Sequence, residues 1–123
     1  MVGFYVVLLK TSIPAKIRID DCKINWYNPA EFIHNQIRAL TPIPGAFTYY
    51  NEKRVKLFRS KVLINKSENF LKPGQIYFKK PLLHIGTATN AIQISDIQIE
   101  GKARMPVTQF ILGYPKIIGE YFE

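Results

Sequence analysis

A mainly β fold with flanking helices, organised as a small OB-like open β-barrel, is what this sequence predicts. Three observations lead there. The chain is 47% hydrophobic and 13% aromatic, and the many Val, Ile, Tyr and Phe residues favour strands over a helical bundle and argue against disorder. Eight prolines and seven glycines cut the 123 residues into short segments joined by turns. Beyond Gly45 the apolar residues recur mostly at every second position, the period of a strand. This length makes one domain the default. An OB-like barrel also needs helical filler at its open end, and two helical patterns are present.

Residues 1–18 read as a connector. The apolar run 2–9 is far shorter than the roughly 20 residues that span a bilayer. It also lacks the basic start and small-residue cleavage site of a signal peptide, so it reads as a buried strand or docked arm. A Pro-containing stretch, 12–17, follows. The barrel domain then occupies 19–123. Within it, residues 23–26 form a short extended segment with Ile24 and Trp26 on one face.

The spacing predicts a helix over 29–40. Asn28 is a favoured N-cap, Pro29 suits the first helical position, and Glu31 can return to the cap N–H. Ala30, Ile33, Ile37 and Leu40 form one apolar stripe, and Pro42 and Pro44 stop the helix. Strands follow at 47–50 and, after a turn at Asn51-Glu52, at 54–60. There Val55, Leu57 and Arg59 take one face, and Lys56 and Phe58 the other. Residues 62–64 continue that strand past a bend. A polar loop fills 66–74, and strands recur at 75–78, 82–85 and 91–99. In the last, the three-residue step from Ile94 to Ile97 predicts a bulge near Ser95-Asp96. A short helix over 106–112 ends on Gly113 as a left-handed cap.

Few side chains offer chemistry. Cys22 is the one cysteine, so neither an internal disulfide nor a Cys-based zinc site forms; it reads as a small buried hydrophobe in a reducing, cytoplasmic setting. His34 and His84 stand in no ligand pattern, and no metal is expected. His34 borders the helix stripe, where a packed or hydrogen-bonded role fits. The glycines form no phosphate-cradling motif. Asp20 and Asp21 are adjacent, and neighbours on an extended chain face opposite ways. No catalytic residue is predicted.

Charge is the strongest signal. The formal net charge is +8. Between Lys53 and Lys80 nine cations face one carboxylate, Glu68, so this segment holds the whole excess. Such segregation suits a surface that meets polyanions. Tyr49, Tyr50, Tyr77 and Phe78 sit close to these cations, and basic residues neutralise phosphates while aromatic rings stack on bases. An anionic membrane would select a basic amphipathic helix, whereas these cations lie on strands and loops. The candidate phosphate contacts are Lys53, Arg54, Lys56, Arg59, Lys61, Lys79 and Lys80, joined by Arg38, Lys102 and Arg104.

Three blocks carry a family resemblance. The first is Lys16-Ile17, then Cys22-Lys23-Ile24-Asn25-Trp26, Pro29-Ala30-Glu31 and Ile33-His34-Asn35-Gln36-Ile37-Arg38-Ala39. The second is Pro42-Ile43-Pro44-Gly45-Ala46-Phe47-Thr48, leading to Lys53-Arg54-Val55-Lys56-Leu57. The third is Ile97-Gln98-Ile99-Glu100-Gly101-Lys102-Ala103-Arg104-Met105, then Phe110-Ile111-Leu112-Gly113. Over about residues 13–122 this resembles the C-terminal domain of methionyl-tRNA formyltransferases. C-terminal domains of sugar-nucleotide and folate-dependent formyltransferases share parts of it. The resemblance implies a helix-decorated OB-like barrel that helps bind initiator methionyl-tRNA through basic surface. It also implies a separate N-terminal catalytic domain that uses 10-formyltetrahydrofolate. This chain carries no stretch matching that domain's catalytic motif, so it has no cofactor of its own. The alternative is a structural or ligand-binding C-terminal domain of a sugar-nucleotide formyltransferase.

Overall fold

Six strands form a single antiparallel sheet, and its inner face is where the alternating aliphatics point. The structure, a computed structural model, describes residues 19–64 and 71–123. The 2–9 run, the 12–17 connector and residues 66–70 of the polar loop lie outside the described residues. The strands are β1 (Phe47–Tyr50), β2 (Lys53–Leu63), β3 (Ile76–Lys79), β4 (Leu82–Gly86), β5 (Ala91–Ile99) and β6 (Met105–Pro106). Their order is β1-β2-β5-β4-β3, with β6 paired to β5. The sheet curls into a half-barrel with two helices, α1 (Ala30–Leu40) and α2 (Val107–Gly113).

Asn51 and Glu52 both take positive φ, 49° and 67°, and make the tight turn between β1 and β2 that the twist of a hairpin prefers. Val55 and Leu57 of β2 and Ile92, Ile94, Ile97 and Ile99 of β5 are all essentially fully buried. They form one core with Ile33, Ile37 and Leu40 of α1 and Val107 and Phe110 of α2.

The predicted helix is present, but it starts differently. Pro29, not Asn28, is the N-cap, and no side chain caps the helix. The Ala30 N–H instead donates to the carbonyl of Thr89, 3.3 Å away in the β4–β5 loop, so a distant loop replaces the expected capping box. Gly113 also departs from expectation. It ends α2 inside the helix without a left-handed φ, and the cap is the Tyr114 N–H, which donates to Phe110 and Ile111 carbonyls.

No residue is inserted near Ser95-Asp96. The β2–β5 ladder runs from Val55↔Ile99 to Phe58↔Asp96, breaks at Arg59, and resumes at Ser60↔Ile94 with its register unchanged. The distortion sits on β2: Arg59 has φ 58°, and the Ser95 hydroxyl donates to its carbonyl at 3.3 Å. Both strands therefore change pleat phase at one level. This buries Phe58 and leaves Arg59 exposed, off the Val55–Leu57 face where simple alternation placed it.

The sheet's two edges, β1 and β3, are joined by the C-terminal segment. Gly119 N–H donates to the Ile76 carbonyl at 2.7 Å and Ile76 N–H to the Glu120 carbonyl at 2.8 Å, while Phe122 N–H donates to the Gly74 carbonyl at 2.9 Å. The same segment then pairs with Tyr49 of β1. The outer edge of β1 also accepts a bond from Ile24 N–H at the Phe47 carbonyl, 2.7 Å. The β1 edge and the start of β3 are thus covered, which shortens the open ladders that invite association.

Candidate nucleic-acid interface

The pleat of β2 decides where the cations point. Because Val55 and Leu57 face the core, Arg54 and Lys56 project from the outer face, across from Tyr49 and Phe47 of β1. Arg54 lays its guanidinium over the Phe47 ring at 4.7 Å, and Phe47 meets Tyr49 edge-on at 5.5 Å. Lys23 places its Nζ 5.9 Å from the centre of the Tyr49 ring. Arg54 therefore covers the buried Phe47 ring and Lys23 the partly buried Tyr49 ring, each ring offering its negative face to a positive group. The Arg54 backbone N–H donates to Glu100 Oε1 at 2.5 Å, so Glu100 is engaged at the strand's end rather than spread across the patch. Lys56 is half-buried, with its stem against Gly45. Lys53 stands exposed beside the hairpin turn, and Lys102 is exposed past the end of β5, where Gly101 turns the chain at φ 84°.

A second group lies further along the sheet. Register places Arg59 of β2 opposite Ser95 of β5, one step beyond the Leu83↔Ile94 pair of β5 and β4; Leu82 in turn pairs with Lys79 of β3. Arg59 and Lys79 thus fall in one row across four strands, about 14 Å apart at the backbone. Lys80 follows in the hairpin turn, and Lys61 stands two residues beyond Arg59; all four are exposed. Arg104 lies one level away and is different in kind. It pairs with Asp96 at 3.0 Å and covers the Phe58 ring at 4.2 Å.

Arg38 is exposed in the last turn of α1, its Nη1 3.4 Å from Asn35 Oδ1. One turn before it, His34 Nδ1 lies 2.7 Å from Ser60 Oγ and docks the helix on β2 between Arg59 and Lys61. Burial, then the Arg38 charge, pulls the His34 pKa below its ordinary value. A cation beside the ring weakens it as a base, so the Ser–His contact reads as a docking bond and not as an activated nucleophile. Cys22 is buried, and burial pushes its thiol pKa up, away from the reactive thiolate. No group of three metal-ligating side chains occurs among the described residues. No helix among them is long and apolar enough to cross a membrane.

The ten sequence candidates therefore divide by role. Lys53, Arg59, Lys61, Lys79, Lys80 and Lys102 are exposed cations without an acidic partner among the described residues. Arg54, Lys56 and Arg104 are partly committed to packing, and Arg38 stands exposed on α1 with Asn35 as its partner. Sequence reasoning missed Lys23; the alternation of buried Ile24 and Trp26 with exposed Lys23, Asn25 and Tyr27 was the signal that marks it.

Comparison with known proteins matches residues 16–115 to the family described as formyl transferase, C-terminal domain. The chain belongs to that family. A methionyl-tRNA formyltransferase of Carboxydothermus hydrogenoformans is 38% identical over 109 residues, covering 87% of this chain and 34% of the relative. That of Syntrophomonas wolfei is also 38% identical, covering 85% and 33%. This formyltransferase C-terminal domain thus spans about a third of the length of the curated relatives it matches. Among solved structures, HypX from Aquifex aeolicus superposes with a TM-score of 0.67 at 22% identity, covering 85% of this chain and 19% of HypX. That likeness establishes the shared fold.

Proposed function

We propose that this formyltransferase C-terminal domain binds initiator methionyl-tRNA through its basic surface and assists N-formylation of the methionyl group by a separate catalytic domain. The formyl donor in this reading, 10-formyltetrahydrofolate, belongs to that catalytic domain and not to residues of this chain. One observation carries the proposal: six exposed cations, spread over both ends of the β2–β5 ladder and the β3–β4 turn, lack acidic partners among the described residues. The strands and tight turns of one folded sheet hold them, so each can release a counterion when a phosphate arrives. Relatives at 38% identity carry the methionyl-tRNA formyltransferase name, which supports tRNA as the polyanion. The reaction setting is the cytoplasm, where charged tRNA is made.

The test is a salt titration of initiator methionyl-tRNA affinity for the chain and for a variant with Lys53, Arg59, Lys61, Lys79 and Lys80 all changed to Ala. The expected outcome is weaker binding and a slope of log affinity against log salt flattened by roughly 0.7–0.9 per lost contact. Unchanged affinity and slope overturn the assignment. Tight binding of a sugar nucleotide with no tRNA binding would support the other branch of the family.

A further inference from the structure

A cleft of about 560 Å³ opens between the 23–27 segment and the C-terminal segment. Its floor is rigid. Trp26 donates its indole N–H to Thr48 Oγ1 at 3.0 Å and stacks on Phe122, ring centres 6.0 Å apart and 17° from parallel. Its walls carry two tyrosines from opposite ends of the described chain, Tyr27 and Tyr121. Tyr27 is 76% exposed and Tyr121 45%, although the surrounding chain is tied down: the Tyr27 N–H donates to Asn25 Oδ1 at 3.0 Å, and Tyr121 bridges to Gln75. Two large rings held open on an ordered backbone leave apolar faces that water covers poorly and a flat partner covers well.

Charge narrows the partner. Lys23 and Glu123 line the cleft together and leave it without an excess of either charge, so a ligand held there draws on the rings as well as on the ammonium. A planar heterocycle with a phosphate attached meets each element: rings to stack on, a carboxylate to accept from a base amino group, and an ammonium for the phosphate. The volume lies within the usual range of small-ligand sites.

We propose that this cleft binds a single nucleotide, its base stacked against Tyr27 and Tyr121 and its phosphate on Lys23. The nucleotide is either free or an unstacked residue of a bound RNA. The RNA source rests on the tRNA reading above; the free source does not.

Trp26 is the only tryptophan, so its emission reports the cleft floor directly. The chain is titrated with adenosine 5′-monophosphate, with a short single-stranded oligoadenylate and with inorganic phosphate. Saturable change with either nucleotide probe and none with phosphate is expected. Tighter binding of the oligonucleotide identifies the RNA source, and equal binding identifies the free nucleotide. Tyr27→Ala should weaken the response roughly 5- to 50-fold while leaving the melting temperature unchanged, because the ring is exposed. No saturable change up to millimolar probe, an equal response to phosphate, or an unaltered response in Tyr27→Ala overturns the proposal. With tRNA, Tyr27→Ala lowers affinity at an unchanged salt slope, whereas the five-cation variant changes the slope. Failure of one is therefore distinguishable from failure of the other.

Discussion

Tyr49 and Glu123 exchange both of their backbone hydrogen bonds, each 2.9 Å long. This is a full antiparallel pair between the first strand and the end of the chain, and it is reinforced by Thr48 Oγ1 donating to the Glu123 carbonyl at 2.8 Å and Tyr50 OH to Glu120 Oε1 at 2.6 Å. Between these contacts Phe122 is 4% exposed, wedged against Trp26 and edge-on to Tyr50.

Phe122→Ala removes the wedge. Emptying such a site costs about 3–5 kcal/mol, seen as a lower urea midpoint. Trp26 emission should shift red as water reaches the indole. A loss below about 1 kcal/mol would mean that the C-terminal segment contributes little to the barrel.

Two glycine substitutions should act in opposite directions. At Gly86 an added Cβ runs into the Lys72 carbonyl oxygen and lies 2.8 Å from that of Leu71, both backbone atoms that cannot swing away. Gly86→Ala should cost at least about 2 kcal/mol. At Gly113 nothing lies within 4 Å and the backbone is helical. Gly113→Ala should stabilise by up to about 1 kcal/mol. Thermal melts of both variants check the pair, and a destabilised Gly113→Ala would restore the left-handed cap.

Arg104 and Lys80 separate packing from phosphate contact. Arg104→Ala loses the Asp96 bridge and uncovers Phe58, so stability should fall by about 1 kcal/mol or less, the pair being partly exposed and screened. Its effect on the tRNA salt slope should be small, since Asp96 already neutralises it. Lys80→Ala should leave the melting temperature unchanged and lower the slope by roughly 0.7–0.9. The reverse pattern would move the interface to the Arg104 side.

Acid should loosen the α1–β2 contact. The His34 pKa is lowered in the fold, first by burial and then by Arg38, so below the unfolded value near 6.5 the unfolded chain binds the proton more readily. That linkage makes stability fall as pH drops through this range and recover above it. Urea midpoints at pH 7.5 and 5.5 should differ more for the natural chain than for His34→Gln. An equal difference would show that another group carries the acid sensitivity.

Much of this architecture was legible in the sequence because its signals are local. The Ala30–Leu40 stripe, the Asn51-Glu52 turn and the Ile92–Ile99 alternation each follow from neighbours a few residues apart, and each is present. What escaped depends on distant partners. The cap of α1 comes from Thr89, and the phase break of β2 depends on a left-handed arginine, which no alternation rule anticipates. The row joining Arg59 to Lys79 exists only once register is known; charge counting marked those residues without bringing them together. Tyr27 and Tyr121 carry no signal individually, and share a cleft only because the C-terminal segment folds back.

That fold-back also sets a timetable for synthesis. Thr48 and Glu123 are 75 residues apart. As a ribosome extrudes the chain, the Tyr49 backbone on the β1 edge stays unpaired until residues 119–123 clear the exit tunnel. A chaperone that shields exposed strand edges during translation would therefore bind stalled chains ending before Gly119 and release those that extend through Glu123.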